Sequence, residues 1–91
     1  MVVKKRERLE IIRDILKVIR GSRAIKPTRL LYASNLSPQM FKDYINELLD
    51  KKFIEFKEDK DGKKEFSLMK KGQEFLEKYK IIEEFVGGFG L

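Results

Sequence analysis

The sequence predicts a small α+β domain that is mostly helical. Over most of the chain, apolar residues recur every three to four positions, which is the spacing of one face of an α-helix. Two neighbouring segments, 54–58 and 64–68, alternate between apolar and polar residues, as half-buried strands do. Asp61 and Gly62 lie between them and favour a hairpin turn, because glycine adopts positive φ easily. The expected order is helix, short strand, helix, helix, β-hairpin, helix.

Size and composition narrow the functions that the chain can carry. Its 91 residues form one domain, and the absence of cysteine and histidine removes disulfides, thiolate metal sites and the usual general base. We therefore expect no enzyme, no metal and no cofactor. No apolar run approaches the length of about 18 residues that a membrane span needs, and the basic N-terminus lacks the apolar stretch of a signal peptide. A soluble cytoplasmic protein without a membrane or small-molecule partner is expected.

Positive charge is concentrated at the start of the chain. Residues 1–30 hold ten Lys and Arg against three Asp and Glu, a net +7, whereas residues 31–91 hold eleven against twelve, a net −1. This imbalance favours a polyanionic partner that meets one side of the fold, with nucleic acid as the leading candidate. The alternative is an anionic membrane surface. It needs bulky apolar side chains free to insert, and here the core requires them. The high content of Lys and Glu resembles that of hyperthermophile proteins.

The first helix is predicted over residues 4–20 by a wide apolar stripe. The stripe contains Leu9, Ile12, Leu16 and Ile19, with Ile11, Ile15 and Val18 beside it. This width lets one part face the core and another face a partner chain or the last helix. Gly21 is then expected to end the helix, just beyond its C-terminal cap. The basic residues between Lys4 and Arg8 would form either a solvated arm or phosphate contacts.

A short strand and two helices come next. Residues 24–25 fit a very short strand, and Pro27 opens a helix that runs to about Ser34. Ser37 can cap a longer helix, with Pro38 in the first position, where its missing N–H would have no partner in any case. A helix, a tight turn and a longer capped helix form the helix-turn-helix signature.

The two faces of the third helix differ in chemistry. The apolar face contains Phe41, Tyr44, Ile45, Leu48 and Leu49. The opposite face carries Gln39, Lys42, Asp43 and Asn46. Because these polar side chains can be positioned to read hydrogen-bonding edges, residues 38–51 are interpreted as a recognition helix. The alternative is an ordinary amphipathic helix with a solvated polar face. Near the start of the preceding helix, Thr28 and Arg29 would offer a phosphate backbone N–H groups and positive charge.

The β-hairpin is interpreted as a wing beside the recognition helix. Ile54 and Phe56 of its first strand, with Phe66 and Leu68 of its second, are expected to lie over the helices. The tip, residues 57–64, carries the four lysines Lys57, Lys60, Lys63 and Lys64. A basic wing contacts the backbone or the minor groove of a duplex. Three acidic residues in the same segment leave the alternative that the hairpin only covers the core.

The last helix is predicted from Lys70 to about Val86. Its apolar residues form a seam like that of a short coiled coil: Phe75, Tyr79, Ile82 and Val86, widened by Phe85. The seam either docks on the first helix or forms a dimer interface, and dimerisation is the preferred interpretation. The glycines at 87 and 88 are expected to end the helix. The chain would comprise a domain over residues 1–69 and a dimerisation element over residues 70–91, packed on it.

This order of elements is that of a winged helix-turn-helix domain. The residues also resemble the small archaeal winged-helix DNA-binding proteins, chromosomal or regulatory, that dimerise through a C-terminal helix. The matching stretches are 12–16, 26–37, 44–48 and 70–76. The Lys-Pro-Thr-Arg segment is fairly specific. Two positions depart from the pattern: Lys52 stands where a glycine usually ends the recognition helix, and Met69 where a threonine usually caps the last helix.

The resemblance implies a homodimer that binds double-stranded DNA, with a recognition helix in each major groove. It directs six side chains to the bases: Ser37, Gln39, Met40, Lys42, Asp43 and Asn46. It places Lys26, Thr28 and Arg29 on phosphates. The implied role is that of a transcriptional regulator or a nucleoid-associated chromosomal protein. The alternative is a winged-helix module of a larger complex that binds protein and no DNA, through Met40, Phe41 or the aromatic tail.

Overall fold

Four helices and a three-stranded antiparallel sheet form the fold in the computed structural model, which describes residues 6–90. The elements are α1 (Arg8–Ser22), β1 (Ala24–Ile25), α2 (Pro27–Ser34), α3 (Pro38–Asp50), β2 (Ile54–Glu58), β3 (Lys64–Leu68) and α4 (Lys70–Gly88). The predicted order of elements is confirmed. Lys4 and Lys5, predicted to begin the first helix or a basic arm, lie outside the described residues. Within residues 6–90, no helix is long and apolar enough to cross a bilayer.

The centre of the core is the wide apolar face of α1. Ile15, Leu16 and Ile19 are fully buried, because α2, β1, β3 and α4 all pack against this helix. The two parts of the wide stripe thus face the sheet and α2 on one side and α4 on the other. Leu9, at the N-terminal end of the stripe, is more than half exposed. Burial of these branched side chains stabilises the domain by roughly 1.5–3 kcal/mol per side chain.

The sheet has the strand order β1-β3-β2, and one of its faces covers the helices. Ile25 pairs with Phe66 across β1 and β3, and Phe56 pairs with Phe66 across β2 and β3. Ile25, Ile54 and Phe66 are buried, as expected for inward positions. Phe56 was predicted to lie over the helices, but its side chain is 43% exposed. It lies further along the edge strand β2 towards the hairpin tip, where its ring contacts Phe66 at 5.2 Å between centroids.

Three glycines predicted to end helices, at positions 21, 87 and 88, are helical instead. Gly21 lies inside α1, and the chain turns at Arg23, which takes φ 63° while its N–H bonds to the carbonyl of Arg20. The turn falls there because pairing with β3 begins at the next residue, Ala24. The prediction that α4 ends at Val86 was also wrong. Its last turn continues through Gly88, and Phe89 caps it with its N–H on the carbonyls of Val86 and Gly87.

Both ends of α3 are fixed by local chemistry. The hydroxyl of Ser37 accepts the N–H of Met40 at 3.2 Å, which confirms the predicted cap, and Pro38 occupies the first turn. At the other end, Lys52 adopts φ 62°, the left-handed region that favours glycine. This conformation lets the N–H of Phe53 bond to the carbonyl of Leu48 at 2.9 Å, so that β2 starts immediately after the helix.

Gly72 permits the first turn of α4 to pack on the segment that follows α3. A Cβ atom at this position would overlap the carbonyl oxygen of Phe53 and lie 2.8 Å from Cδ1 of Leu68. The same carbonyl accepts the N–H of Met69 at 3.0 Å, so the backbone of Phe53 cannot move away without losing a hydrogen bond. This close approach explains why a glycine occupies the first turn of the last helix.

Gly72→Ala should therefore destabilise the protein by about 1–3 kcal/mol, the usual cost of overpacking. The matched control is Gly21→Ala, also within a helix, where an added Cβ meets nothing within 4 Å. The free energy of unfolding of that variant should rise by about 0.5–1 kcal/mol, because alanine is the better helix former. Denaturant unfolding of both variants measures the difference. Equal effects of the two substitutions would contradict the packing at Gly72.

Candidate nucleic-acid interface

The polar side of α3 faces solvent along its whole length. Ile45 and Leu48 are buried on the inner side, so the residues on the opposite side of the helical wheel point outward. Exposed residues on this side are Gln39, Lys42, Asp43 and Asn46, with Met40 44% exposed. Ser37 is also exposed, but its hydroxyl oxygen is engaged in capping the helix. Five of the six residues predicted to face bases therefore offer free side-chain surface, and Ser37 positions the helix start.

Two of these side chains are bonded to each other. The amide nitrogen of Gln39 donates to Oδ1 of Asp43 at 3.1 Å, one turn further along α3. Lys42 and Asn46 make no side-chain hydrogen bond or ion pair with other described residues. The surface of α3 thus offers an ordered amide–carboxylate pair beside a free cation and a free amide.

The start of α2 and the hairpin tip share one basic groove. Pairing of β1 with β3 places the residues just after β1 next to the start of β3. The resulting groove of about 440 Å³ is lined by Lys26, Arg29 and Lys63, among others. A neighbouring depression of about 460 Å³ is lined by Lys26, Thr28, Lys63 and Lys64. Five predicted phosphate ligands from two distant parts of the sequence therefore lie together, and the signal for this is the short strand between the first two helices.

One acidic residue of the hairpin tip, Asp59, and one of its first strand, Glu55, have structural partners. Oδ1 of Asp59 accepts the backbone N–H groups of Asp61 and Lys63, each at 2.9 Å, and Gly62 takes φ 79° in the turn. The carboxylate of Asp59 therefore stabilises the turn at the tip, and its presence is compatible with a wing that contacts DNA. Lys57 pairs with Glu55 at 3.0 Å and lowers the pKa of that carboxyl, together with the hydroxyl of Ser67.

The four wing lysines differ in how free they are. Lys63 pairs loosely with Glu65 at 3.8 Å, and the pair of Lys57 is likewise exposed. Exposed pairs of this kind contribute little to stability, so either lysine can exchange its carboxylate for another anion. Lys60 and Lys64 are exposed and pair with no carboxylate among residues 6–90.

Arginines at the start of the chain tie the helices together. Arg6 donates to Asp14 of α1 at 3.0 Å and to the carbonyl of Ser34 at the end of α2 at 2.8 Å. Arg8 pairs with Glu47 of α3, whose other partner is Lys51 at 3.1 Å. The pKa of Glu47 is lowered, first by the hydrogen bond from Arg8. The basic N-terminal segment therefore anchors α2 and α3 to α1, a role that the sequence did not indicate.

Tyr32 is a candidate interface residue that the sequence analysis did not identify. Its side chain is 84% exposed, the highest exposure of the large apolar residues described. It lies one helical turn beyond Thr28 and so on the same side of α2. The four-residue spacing from Thr28 was the available signal.

The predicted seam of α4 divides into two halves. In the first half, the ring of Phe75 contacts Phe53 at 5.7 Å, and the guanidinium of Arg13 lies 5.3 Å from the ring centre of Tyr79. Val86 is half-buried beside α1. In the second half, large apolar side chains are between 58% and 69% exposed: Ile81, Ile82, Phe85 and Phe89. The first half thus docks within the chain. The second half borders α1 only at Ile82 and Val86 among the apolar residues described, and it leaves Ile81, Phe85 and Phe89 as a largely exposed apolar surface.

A short helix, a tight turn, a capped longer helix and a hairpin on the same core define a winged helix-turn-helix domain. A family model described as "Winged helix-turn-helix" matches residues 5–86. The chain belongs to this family.

Two relatives come from the archaeon Methanocaldococcus jannaschii. Uncharacterized protein MJ0290 is 40% identical over 80 residues, which is 88% of this chain and 34% of the relative. Uncharacterized protein MJ0287 is 35% identical over 80 residues, 87% of this chain and 76% of the relative. The chain therefore spans about a third of the length of one relative and three quarters of the other.

Two solved structures share the fold. The crystal structure of Sso10a-2, a DNA-binding protein from Sulfolobus solfataricus, aligns with a TM-score of 0.71 and 22% identity, covering 93% of this chain and 90% of that one. F93 from STIV, a winged-helix DNA-binding protein, aligns with a TM-score of 0.65 and 22% identity, covering 90% and 92%. At this identity the likeness shows the fold.

Glu47→Gln should weaken the attachment of α3 to α1 in a pH-dependent way. Because the pKa of Glu47 is lowered in the folded state, its pairs stabilise the protein fully above the unfolded pKa of 4.5 and lose this effect as the pH falls through the lower folded value. The stability difference between wild type and variant should thus be present at pH 7 and shrink in acid. Denaturant titrations at pH 7 and at a pH well below 4.5 measure the stability difference, with Glu74→Gln as the control variant. A constant difference would contradict the pairing.

Proposed function

We propose that this protein binds double-stranded DNA as a homodimer and acts as a transcriptional regulator or chromosomal protein in the cytoplasm. The observation that carries the proposal is the exposed polar face of α3, whose opposite side is fixed in the core. Both solved structures of the same fold are described as DNA-binding proteins. An α-helix fits the major groove of B-DNA, where each base pair presents a distinct pattern of donors and acceptors.

Phosphate contacts would come from the groove between α2 and the hairpin. Lys26, Arg29 and Lys63 line it, and Thr28 adds a hydroxyl at the first turn of α2. Cations that meet phosphates release condensed counterions, which supplies affinity without sequence preference. In this arrangement α3 would read base edges, and the groove with the wing would set its register on the duplex.

The homodimer is proposed from the second half of α4. Ile81, Phe85 and Phe89 recur every four residues, so they line one side of the helix together with Ile82. A second copy of the same surface would remove these side chains from water, and a 91-residue chain gains much from additional burial. Two subunits would also present two copies of α3, as a two-fold symmetric DNA site requires.

A protein-interaction module is the second candidate, favoured by the exposure of Tyr32 and Met40 beside the polar residues of the helix-turn-helix. Exposed aromatic and methionine side chains are enriched at protein interfaces. In this case a partner protein would cover α2 and α3, and duplex DNA would not bind even at low salt.

Binding to duplex DNA should weaken steeply with salt. If about six phosphates are contacted, the affinity should fall roughly a thousand-fold between about 50 and 200 mM salt. Arg29→Ala should weaken binding to all sequences alike and reduce the slope of log K against log salt by about two, because the dimer loses one phosphate contact in each subunit. Lys80→Ala removes the same charge from the α1–α4 side and should leave the slope unchanged. Fluorescence anisotropy measures both. Equal slopes for the three proteins would count against the assigned phosphate surface.

Phe85→Glu should convert the dimer into a monomer, because it places a carboxylate in the middle of the exposed apolar side of α4. Lys80→Gln changes the charge by the same amount on the side of α4 that faces α1, so that variant should remain dimeric. Sedimentation velocity distinguishes the two states. A wild-type protein that sediments as a monomer at micromolar concentration would refute the dimer.

A further inference from the structure

We propose that Gln39 reads an adenine in the major groove and that Asp43 is a positioning residue that holds the amide of Gln39 in the reading orientation. This inference rests on the proposed binding of double-stranded DNA. It assigns a base preference to one position of the site, which neither the fold nor the family supplies.

The hydrogen bond between the two side chains is the starting observation. Nε2 of Gln39 donates to Oδ1 of Asp43 at 3.1 Å, and both residues lie on the exposed side of α3 in its first two turns. Among the described residues, no lysine or arginine forms an ion pair with Asp43. The amide of Gln39 is thus its hydrogen-bonding partner, and the pair lies next to Lys42 and close to the N-terminus that enters the groove first in helix-turn-helix docking.

The carboxylate restricts the amide to one of its two orientations. A glutamine amide carries two N–H donors and one oxygen acceptor. Facing Asp43, the amide must present its NH₂ group, because turning the oxygen towards an ionised carboxylate would place two acceptors against each other. One N–H is then bonded to Asp43, while the other N–H and the oxygen remain available side by side.

This remaining pair complements adenine. The major-groove edge of adenine presents an acceptor at N7 and a donor at N6, which the free N–H and the oxygen of Gln39 satisfy together. Guanine presents acceptors at both N7 and O6, so its O6 would face the oxygen of Gln39. The amide cannot turn to relieve this contact without breaking its bond to Asp43. The arrangement therefore selects adenine over guanine.

The proposal also explains why an acidic residue, Asp43, lies on the surface of α3 that faces DNA. A carboxylate that points towards DNA is repelled by phosphates and lowers the overall affinity. The carboxylate of Asp43 compensates for this loss of affinity because it orients the amide of Gln39. An alternative role for Asp43 is to accept directly from N4 of cytosine, and the experiment separates the two.

The test is selection of bound duplexes from a randomised library by wild type and three variants, followed by binding to the selected duplex and to its adenine-to-guanine counterpart. Wild type should prefer adenine at one position by about ten-fold or more. Gln39→Ala and Asp43→Ala should both reduce the preference at that same position to a few-fold or less. Asp43→Asn removes the charge and offers a donor as well as an acceptor, so it no longer restricts the Gln39 amide to one orientation; it should bind all duplexes more tightly and lose most of the preference. Thermal unfolding by circular dichroism confirms that each variant is folded.

Three results would overturn the inference. One is a position sensitive to Asp43→Ala that selects cytosine and ignores Gln39→Ala, because Asp43 would then be the reader. Another is Asp43→Ala with an unchanged adenine preference. The third is wild-type binding without any base preference, which leaves the proposed function standing. Absence of duplex binding by all four proteins at low salt would instead overturn the proposed function as well.

Discussion

Burial of Ile45 and Leu48 is the interaction on which the rest of the surface depends. These two side chains fix the rotation of α3 about its axis, and that rotation decides which residues face solvent. The ends of the helix hold it in place: Ser37 caps the start, and the left-handed conformation of Lys52 turns the chain directly into β2. Gly72 then lets α4 close over Phe53. The polar face of α3 is exposed to solvent because burial of the opposite, apolar face fixes the rotation of the helix.

The distribution of charge follows the same division between structure and surface. Arg6, Arg8 and Arg13 count towards the basic first third of the sequence, yet all three form ion pairs with carboxylates of the helices. Four cations line the groove of α2 and the hairpin, and they come together from two chain segments. Net charge therefore overstates the surface available to a polyanion, and the pairing of β1 with β3 determines where that surface lies.

Much of the fold could be predicted because its signals are local. Apolar spacing gave the four helices, and Ser37-Pro38 and Asp61-Gly62 gave a helix start and a turn whose chemistry the structure confirms. The errors came from residues whose role depends on the tertiary fold. Gly21 does not end α1, because the turn falls where β1 must begin, and Phe56 is exposed because the helices do not reach the hairpin tip. The burial of Ser34 has no signal in the sequence. Its polar groups are satisfied by tertiary and local contacts: the hydroxyl donates to the carbonyl of Leu31, and the carbonyl accepts from Arg6.

The candidate site was predictable to a different degree. Periodicity identified the polar side of α3, because that side follows from the apolar stripe. The pairs Arg8–Glu47 and Gln39–Asp43 needed coordinates, since charge counts cannot tell which partners meet. The exposure of Tyr32 likewise needed coordinates, because its spacing from Thr28 places both on one side of α2 without showing whether that side faces solvent. The exposed surface of α4 also depends on the side from which α1 approaches, because Glu10 and Arg13 lie beside Glu83 and Val86 while Ile81 and Phe85 stay exposed.

The most direct test of the account is an NMR titration of isotope-labelled protein with a DNA duplex, following backbone amide shifts. The open face of α3 and the basic groove should respond together, so the largest shifts should fall in residues 37–46, 26–29 and 57–64. Side-chain amide signals of Gln39 and Asn46 should move with them. Shifts confined to α4 and the outer side of α1, or no shifts at low salt, would contradict the central claim that α3 is the surface that meets DNA.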